Sequence, residues 1–166
     1  SLQSGCDETL KRMNRHYSSK EYSEIVNNLR NAFKDCAITT DVMVGFAGET
    51  DEEFEKSLNF VNSIKFAKVH TFIYSRRKGT KGDLMPNQID PSIKSERSKK
   101  LIEVTLNDRK EFLKNQVGNT YSVLFERKRP EGYWEGYTMN YTPVHIYSDD
   151  DLANKILDVK ITKAYD

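Results

Sequence analysis

Between residues 18 and 74 the hydrophobic pattern switches twice from helical spacing to an unbroken apolar run. Tyr22, Ile25, Val26, Leu29 and Phe33 recur at helical spacing, about one turn of 3.6 residues apart. Ser18 with Glu21 three residues later has the spacing of a capping box. Residues 37–46 are β-branched and mostly apolar and read as a buried strand. The cycle then repeats. A turn at Ala47-Gly48-Glu49 leads to a second box, Thr50 with Glu53, ahead of Phe54, Leu58, Val61 and Ile64. Residues 68–74 form the next strand. Helix–strand–helix–strand with short links is the pattern of a parallel α/β sheet or barrel. A short helix starting at Asp7, with Leu10 and Met13 on one face, precedes it.

The pattern changes twice more. Residues 75–90 form a polar, Gly-containing loop, long enough to be expected to carry function. Pro91 opens a charged helix to about residue 116, with Leu101, Val104 and Phe112 available for packing. After Val117-Gly118-Asn119 the helical signal fades. Short alternating runs at 120–126, 132–138, 142–147 and 156–161 predict a small all-β barrel or sandwich. The expected division is residues 1–116 and residues 117–166.

Charge follows this division. The net charge is −2 over residues 1–73, +5 over 74–116 and −2 over 117–166. The middle segment is therefore where phosphate contacts are expected. Arg76, Arg77, Lys78 and Lys81 form a basic loop beside Tyr74, a combination suited to phosphate attraction and base stacking. A solvated charge run is the plain alternative. In the β-region, RNA contact rests on Arg127, Lys128 and Arg129, with Tyr133, Trp134, Tyr137 and Tyr141 for stacking. These aromatics could equally build a barrel core. His70 and His145 read as strand residues without chemistry, and His16 as a surface residue.

Two cysteines, Cys6 and Cys36, are too few for a disulfide framework or for an iron–sulfur cluster or structural zinc without other donors. They read as reduced thiols of a cytoplasmic protein. No apolar run reaches the roughly 20 residues of a membrane span. The opening residues are polar and do not resemble a signal peptide. The first residue is Ser, and the expectation is a fragment.

Several strings together resemble the radical S-adenosylmethionine (SAM) tRNA methylthiotransferases. They are Ser1-Leu2-Gln3-Ser4-Gly5-Cys6-Asp7, then Leu10 to Arg15 and Tyr17, then residues 40–50. Residues 72–80 and Met85-Pro86-Asn87-Gln88 complete the set, and the tail is similar to the family's RNA-binding TRAM barrel. Ala47 stands where the family usually has Pro, which implies a looser turn. The Cys6 context and residues 135–141 look most like the branch acting on threonylcarbamoyladenosine.

The resemblance implies the C-terminal part of a partial TIM-like radical SAM barrel followed by an OB-like TRAM barrel. It implies SAM and two [4Fe–4S] clusters as cofactors of the intact protein and tRNA as partner. One cluster, on a three-cysteine motif, reduces SAM to a radical; the second delivers sulfur. This chain has no such motif, so no catalytic residue or metal ligand is assigned, and the chain alone is expected to be inactive. Gln3, Ser4 and Arg15 are implied near the SAM ribose or carboxylate, and Gly45 and Gly48 near adenine. Asp41, Glu49 and Tyr74 complete the implied cofactor set. Structural roles compete with these: a solvated helix-end cation for Arg15, a strand-to-helix turn for the glycines, a hydrogen-bonded structural acid for Asp41, and for Glu49 a place near a helix N-terminus that suits its charge.

Other readings stand beside this one. A non-catalytic RNA-binding module would bind tRNA with a steep salt dependence. Sister methylthiotransferases act on isopentenyladenosine in tRNA or on a ribosomal protein. An unrelated barrel enzyme could use Asp41 and Glu49 as an acid/base pair. Half a barrel would leave a strand edge and an apolar face uncovered, which predicts self-association or ordering only with the missing N-terminal half.

Overall fold

The computed structural model describes residues 1–165. Two compact units divide the chain, Ser1–Arg109 and Lys110–Asp166.

In the first unit the predicted alternation is present: α1 (Asp7–Arg12), α2 (Ser19–Ala32), β1 (Thr39–Val44), α3 (Asp51–Ile64) and β2 (Lys68–Ile73). Both capping boxes form, at Ser18/Glu21 and Thr50/Glu53. They satisfy backbone N–H groups that a helix start leaves unpaired. β1 and β2 pair in parallel, Thr39 opposite Lys68 through Val44 opposite Ile73. Residues at the chain start extend this sheet: Gln3 bridges Val42, giving its N–H to the Asp41 carbonyl and accepting from the Met43 N–H.

One face of the sheet is the core side. Leu2, Val42, Val44, Phe54, Val61, Phe66 and Leu101 pack there. Asp41 and Met43 alternate to the other face of β1, where they are half-buried, and on β2 their register partners His70 and Phe72 are exposed. The expected apolar face of α2 is only partly used. Val26 is buried and Tyr22 half-buried, but Ile25, Leu29 and Phe33 are 56%, 37% and 60% exposed. Helical period finds an apolar stripe; it does not say whether a neighbour covers it.

The predicted 75–90 loop contains one short helix, α4 (Lys81–Leu84), capped by Thr80, that its polar sequence did not signal. α5 (Pro91–Lys114) follows. None of the described helices is long and apolar enough to cross a membrane.

The second unit carries β3 (Thr120–Lys128), β4 (Tyr133–Thr138), β5 (Pro143–Tyr147) and β6 (Lys155–Lys160). They form an antiparallel sheet in the order β5-β4-β3-β6. Val123, Phe125, Trp134, Val144 and Leu152 make its core. The register slips once: Phe125 faces Gly136, yet Arg127 faces Glu135, so Glu126 is an extra residue in β3. This is a β-bulge.

Candidate functional site

The strand ends of the first unit frame a cleft of about 680 Å³. Residues at the end of α1 and just after it (Lys11, Arg12, Met13, Asn14) form one wall, and Met43 of β1 with Phe46 just beyond it the floor. Phe72, Ile73 and Tyr74 from β2, with Arg77, Lys81, Gly82 and Met85 from the following loop, complete it. Phe46 and Tyr74 meet edge to face with centroids 4.9 Å apart. In open parallel sheets ligands gather at the carboxyl ends of the strands, and this cleft is there.

Two buried cations of α5 hold those ends in place. Lys94 donates to the Tyr74 carbonyl at 3.1 Å and lies over its ring. A Cβ on Gly45 (φ +72) would run into the Lys94 side chain. Arg97 donates to the Glu49 carbonyl (3.0 Å), the Glu49 carboxylate (2.8 Å) and Asp51 (2.7 Å). Glu49 in turn accepts the Gly45 N–H at 2.7 Å. Burial pushes the Glu49 carboxyl above its ordinary value, against the Gly45 N–H and Arg97. At the other wall Arg12 pairs with Glu53, whose carboxyl that pairing pulls down. Lys94 and Arg97 were not foreseen: on a strongly charged helix nothing in the sequence separates a buried cation from a solvated one.

Of the residues implied for the cofactor, Tyr74 alone lines the cleft. Ser4 is fully buried, its hydroxyl bonded to the Cys6 N–H and near Ser57. Gln3 and Asp41 lie on neighbouring strands of the sheet, Gln3 at φ 65 and Asp41 accepting from the Ser1 hydroxyl. Arg15 is exposed. Gly48 (φ +75) faces Arg12 and donates to the Asn87 carbonyl. Glu49 is locked in the strand-to-helix turn, so it is not paired with Asp41 as an acid/base couple. The basic loop divides: Arg77 and Lys81 line the cleft, Lys78 is exposed, and Arg76 is tied to Asp83 at 3.0 Å.

In the second unit the outer sheet face carries the charge. Glu135, itself buried, receives Nε and Nη2 of Arg127 on one oxygen and of Arg129 on the other, with both Nη2 contacts at 2.7 Å. These arginines, Arg127 first, hold the Glu135 carboxyl below its ordinary value. Tyr133 stacks beside His145 at 4.4 Å and meets Tyr147, which is 77% exposed. Register explains this grouping: Tyr133 faces Tyr147, and Glu135 faces His145.

Trp134 corrects the stacking expectation. It points to the other face, is 6% exposed and belongs to the core. Lys128 lies over its ring at 5.9 Å. Tyr137 is half-buried next to the exposed Tyr141. His145 and Tyr147 join the surface that the sequence assigned to other aromatics; alternation along β5, in step with β4, was the signal.

The radical SAM superfamily model matches residues 1–61, and the TRAM domain model matches residues 114–166. The threonylcarbamoyladenosine tRNA methylthiotransferase MtaB of Bacillus subtilis is 37% identical over 98% of this chain and 37% of its own length. The tRNA-2-methylthio-N(6)-dimethylallyladenosine synthase of Rickettsia canadensis is 42% identical over 98% of this chain and 37% of its own length. The synthase of the same name from Ehrlichia chaffeensis is 39% identical over 99% and 38%. Along 98% of its length this chain is similar to tRNA methylthiotransferases, and its first part matches the radical SAM superfamily. It spans just over a third of the length of the curated relatives it matches.

That similarity makes SAM and iron–sulfur clusters the cofactors to test against the residues. Clusters need several soft thiolate donors. The chain has two cysteines; Cys6 is buried with its thiol pushed up by burial, and no group of three metal-binding side chains occurs among the described residues. These residues do not fit a cluster. SAM fits in part: Asp41 offers a carboxylate beside apolar Met43 on the open sheet face. The cleft beyond offers aromatic walls but no acid for the ligand's positive charges.

Proposed function

We propose that this chain supplies the strand-end cleft and the TRAM surface of a tRNA methylthiotransferase. Its reaction adds a methylthio group to C2 of N6-threonylcarbamoyladenosine, 3′ of the tRNA anticodon. The observation that carries this reading is the cleft, where the aromatic strand ends and the basic loop meet in one wall. Such a wall suits a nucleotide, with a flat base on Phe46 and Tyr74 and an anion on the loop.

When bound, SAM supplies the hydrogen-abstracting radical and the methyl group. Two [4Fe–4S] clusters are proposed for the intact protein, on cysteines outside this chain, so the chain alone does not turn over. Asp41, beside Met43 on the open sheet face, is the residue here that would face SAM. Lys94 and Arg97 keep the strand ends in shape, and Arg127, Arg129, Tyr133, His145 and Tyr147 hold the RNA. The setting is the cytoplasm, where tRNA is modified.

Relatives named for N(6)-dimethylallyladenosine, at 38–42% identity, favour a second reading with that nucleoside as substrate. Mass spectrometry of tRNA nucleosides after disruption of the gene separates the two. Loss of the methylthio form of threonylcarbamoyladenosine, restored by complementation, is expected. Loss of the methylthio dimethylallyl form instead establishes the second reading, and no change in either removes both.

A further inference from the structure

The charge pattern of the cleft goes further than its shape. Lys11, Arg77 and Lys81 line it, with no carboxylate among the lining residues. Arg12 is also there but is committed to Glu53. None of the other three is ion-paired among the described residues. Tyr74, 9% exposed, has a hydroxyl with no hydrogen-bond partner. That hydroxyl lies against Gly82; a Cβ there would approach it to 2.6 Å. A buried polar group without a partner is uncommon and asks for an acceptor or donor.

These groups discriminate among the ligands at hand. SAM carries a sulfonium and an ammonium against one carboxylate, so its net charge is positive and unmatched by acid in the cleft. A dimethylallyl substituent is neutral and leaves three cations unused. A threonylcarbamoyl substituent carries one carboxylate, a hydroxyl and a carbamoyl oxygen. We propose that Lys11, Arg77 and Lys81 bind the carboxylate on the N6 substituent of the target adenosine, while the Tyr74 hydroxyl bonds one of its neutral oxygens. The base and the substituent's carbon atoms rest on Phe46, Met43 and Met85. The cleft then reads an amino-acid-bearing adenosine, with Arg77 and Lys81 as specificity-determining residues. This rests on the methylthiotransferase reading above and selects one of its two substrates.

The test uses the intact protein with its clusters and three anticodon stem-loop RNAs. They are identical except at one adenosine, which is unmodified, threonylcarbamoylated or dimethylallylated. Dissociation constants come from fluorescence anisotropy at fixed salt. The wild-type protein is expected to prefer the carboxylated RNA over the other two by about tenfold or more, as a charge-assisted contact implies. Arg77→Gln and Lys81→Gln are each expected to bring that ratio towards one, with the circular dichroism spectrum unchanged. A wild-type ratio near one overturns the proposal. So does an equal weakening of all three RNAs in the variants, which marks phosphate contacts. Weakened SAM binding in equilibrium dialysis with the RNA ratio intact overturns it as well and assigns the cations to the cofactor carboxylate. Failure to bind any of the RNAs removes the methylthiotransferase reading itself.

Discussion

Replacing Arg97 by Met tests whether the buried ion pair holds the end of β1 together. Arg97 is 5% exposed and Glu49 2%. The guanidinium gives two hydrogen bonds to Glu49 and one to Asp51, whose side chain is 92% exposed. The Asp51 contact is solvent-screened and contributes little. The Glu49 contacts are not, so Arg97→Met leaves an uncompensated buried carboxylate, a loss of about 3–5 kcal/mol. Adding Glu49→Gln removes that charge while keeping an acceptor for the Gly45 N–H, so the double variant recovers most of the loss. Urea unfolding of the purified protein, followed by circular dichroism at 222 nm, measures all three. The pH dependence follows from the sign of the Glu49 shift. Its folded pKa lies above the unfolded value, so the folded state holds the proton more tightly and the penalty is full above the folded pKa. Lowering the pH through that value protonates Glu49 and relieves the single variant. A loss under about 1 kcal/mol at pH 7, or a double variant no more stable than Arg97→Met, refutes the reasoning.

Four further outcomes are expected. Gly136→Ala sets a Cβ against the Leu124 carbonyl oxygen and 2.9 Å from the Phe125 Cα, backbone atoms that cannot yield, so the sheet loses about 1–3 kcal/mol; fluorescence of Trp134, the sole tryptophan, reports it. Glu135→Gln lowers stability at pH 7; because the Glu135 pKa is depressed, this difference fades as pH falls from the ordinary carboxylate range through the folded pKa, as acid titration of the same fluorescence would show. Tyr147→Ala and His145→Ala each weaken tRNA binding several-fold, whereas Trp134→Phe changes stability and leaves affinity within a factor of about two, since base stacking needs an exposed ring; gel-shift titration distinguishes them. Residues 1–166 prepared alone self-associate at micromolar concentration through Ile25, Leu29 and Phe33; a monodisperse monomer in sedimentation velocity counts against this.

Elements were legible in the sequence wherever local chemistry decides them. Ser18/Glu21 and Thr50/Glu53 announce helix starts because their hydrogen bonds span three residues. The parallel pairing of β1 with β2 followed from an intervening helix. The site was less legible because its partners come from far along the chain. Lys94 meets Tyr74 twenty positions away, and Arg97 meets Glu49 across forty-eight. Tyr74 and the basic loop, already read together as an aromatic beside cations, share one cleft with Lys11 and Phe46 from far earlier in the chain. Trp134 and Tyr133 look alike as neighbouring aromatics, and only strand parity sends one inward and the other out.

Strand parity also gives the extra residue in β3 a meaning. Up to Phe125, odd-numbered residues of this strand face the core, as Val123 and Phe125 do. Continued without interruption, the same alternation would drive Arg127 and Arg129 into the interior beside them. Glu126 changes the phase, so the two arginines emerge on the face of Glu135 and His145. One strand can thus write an oily code in its first half and a cationic code in its second. Shifting that one residue along the strand would exchange which letters are read by the core and which by the solvent.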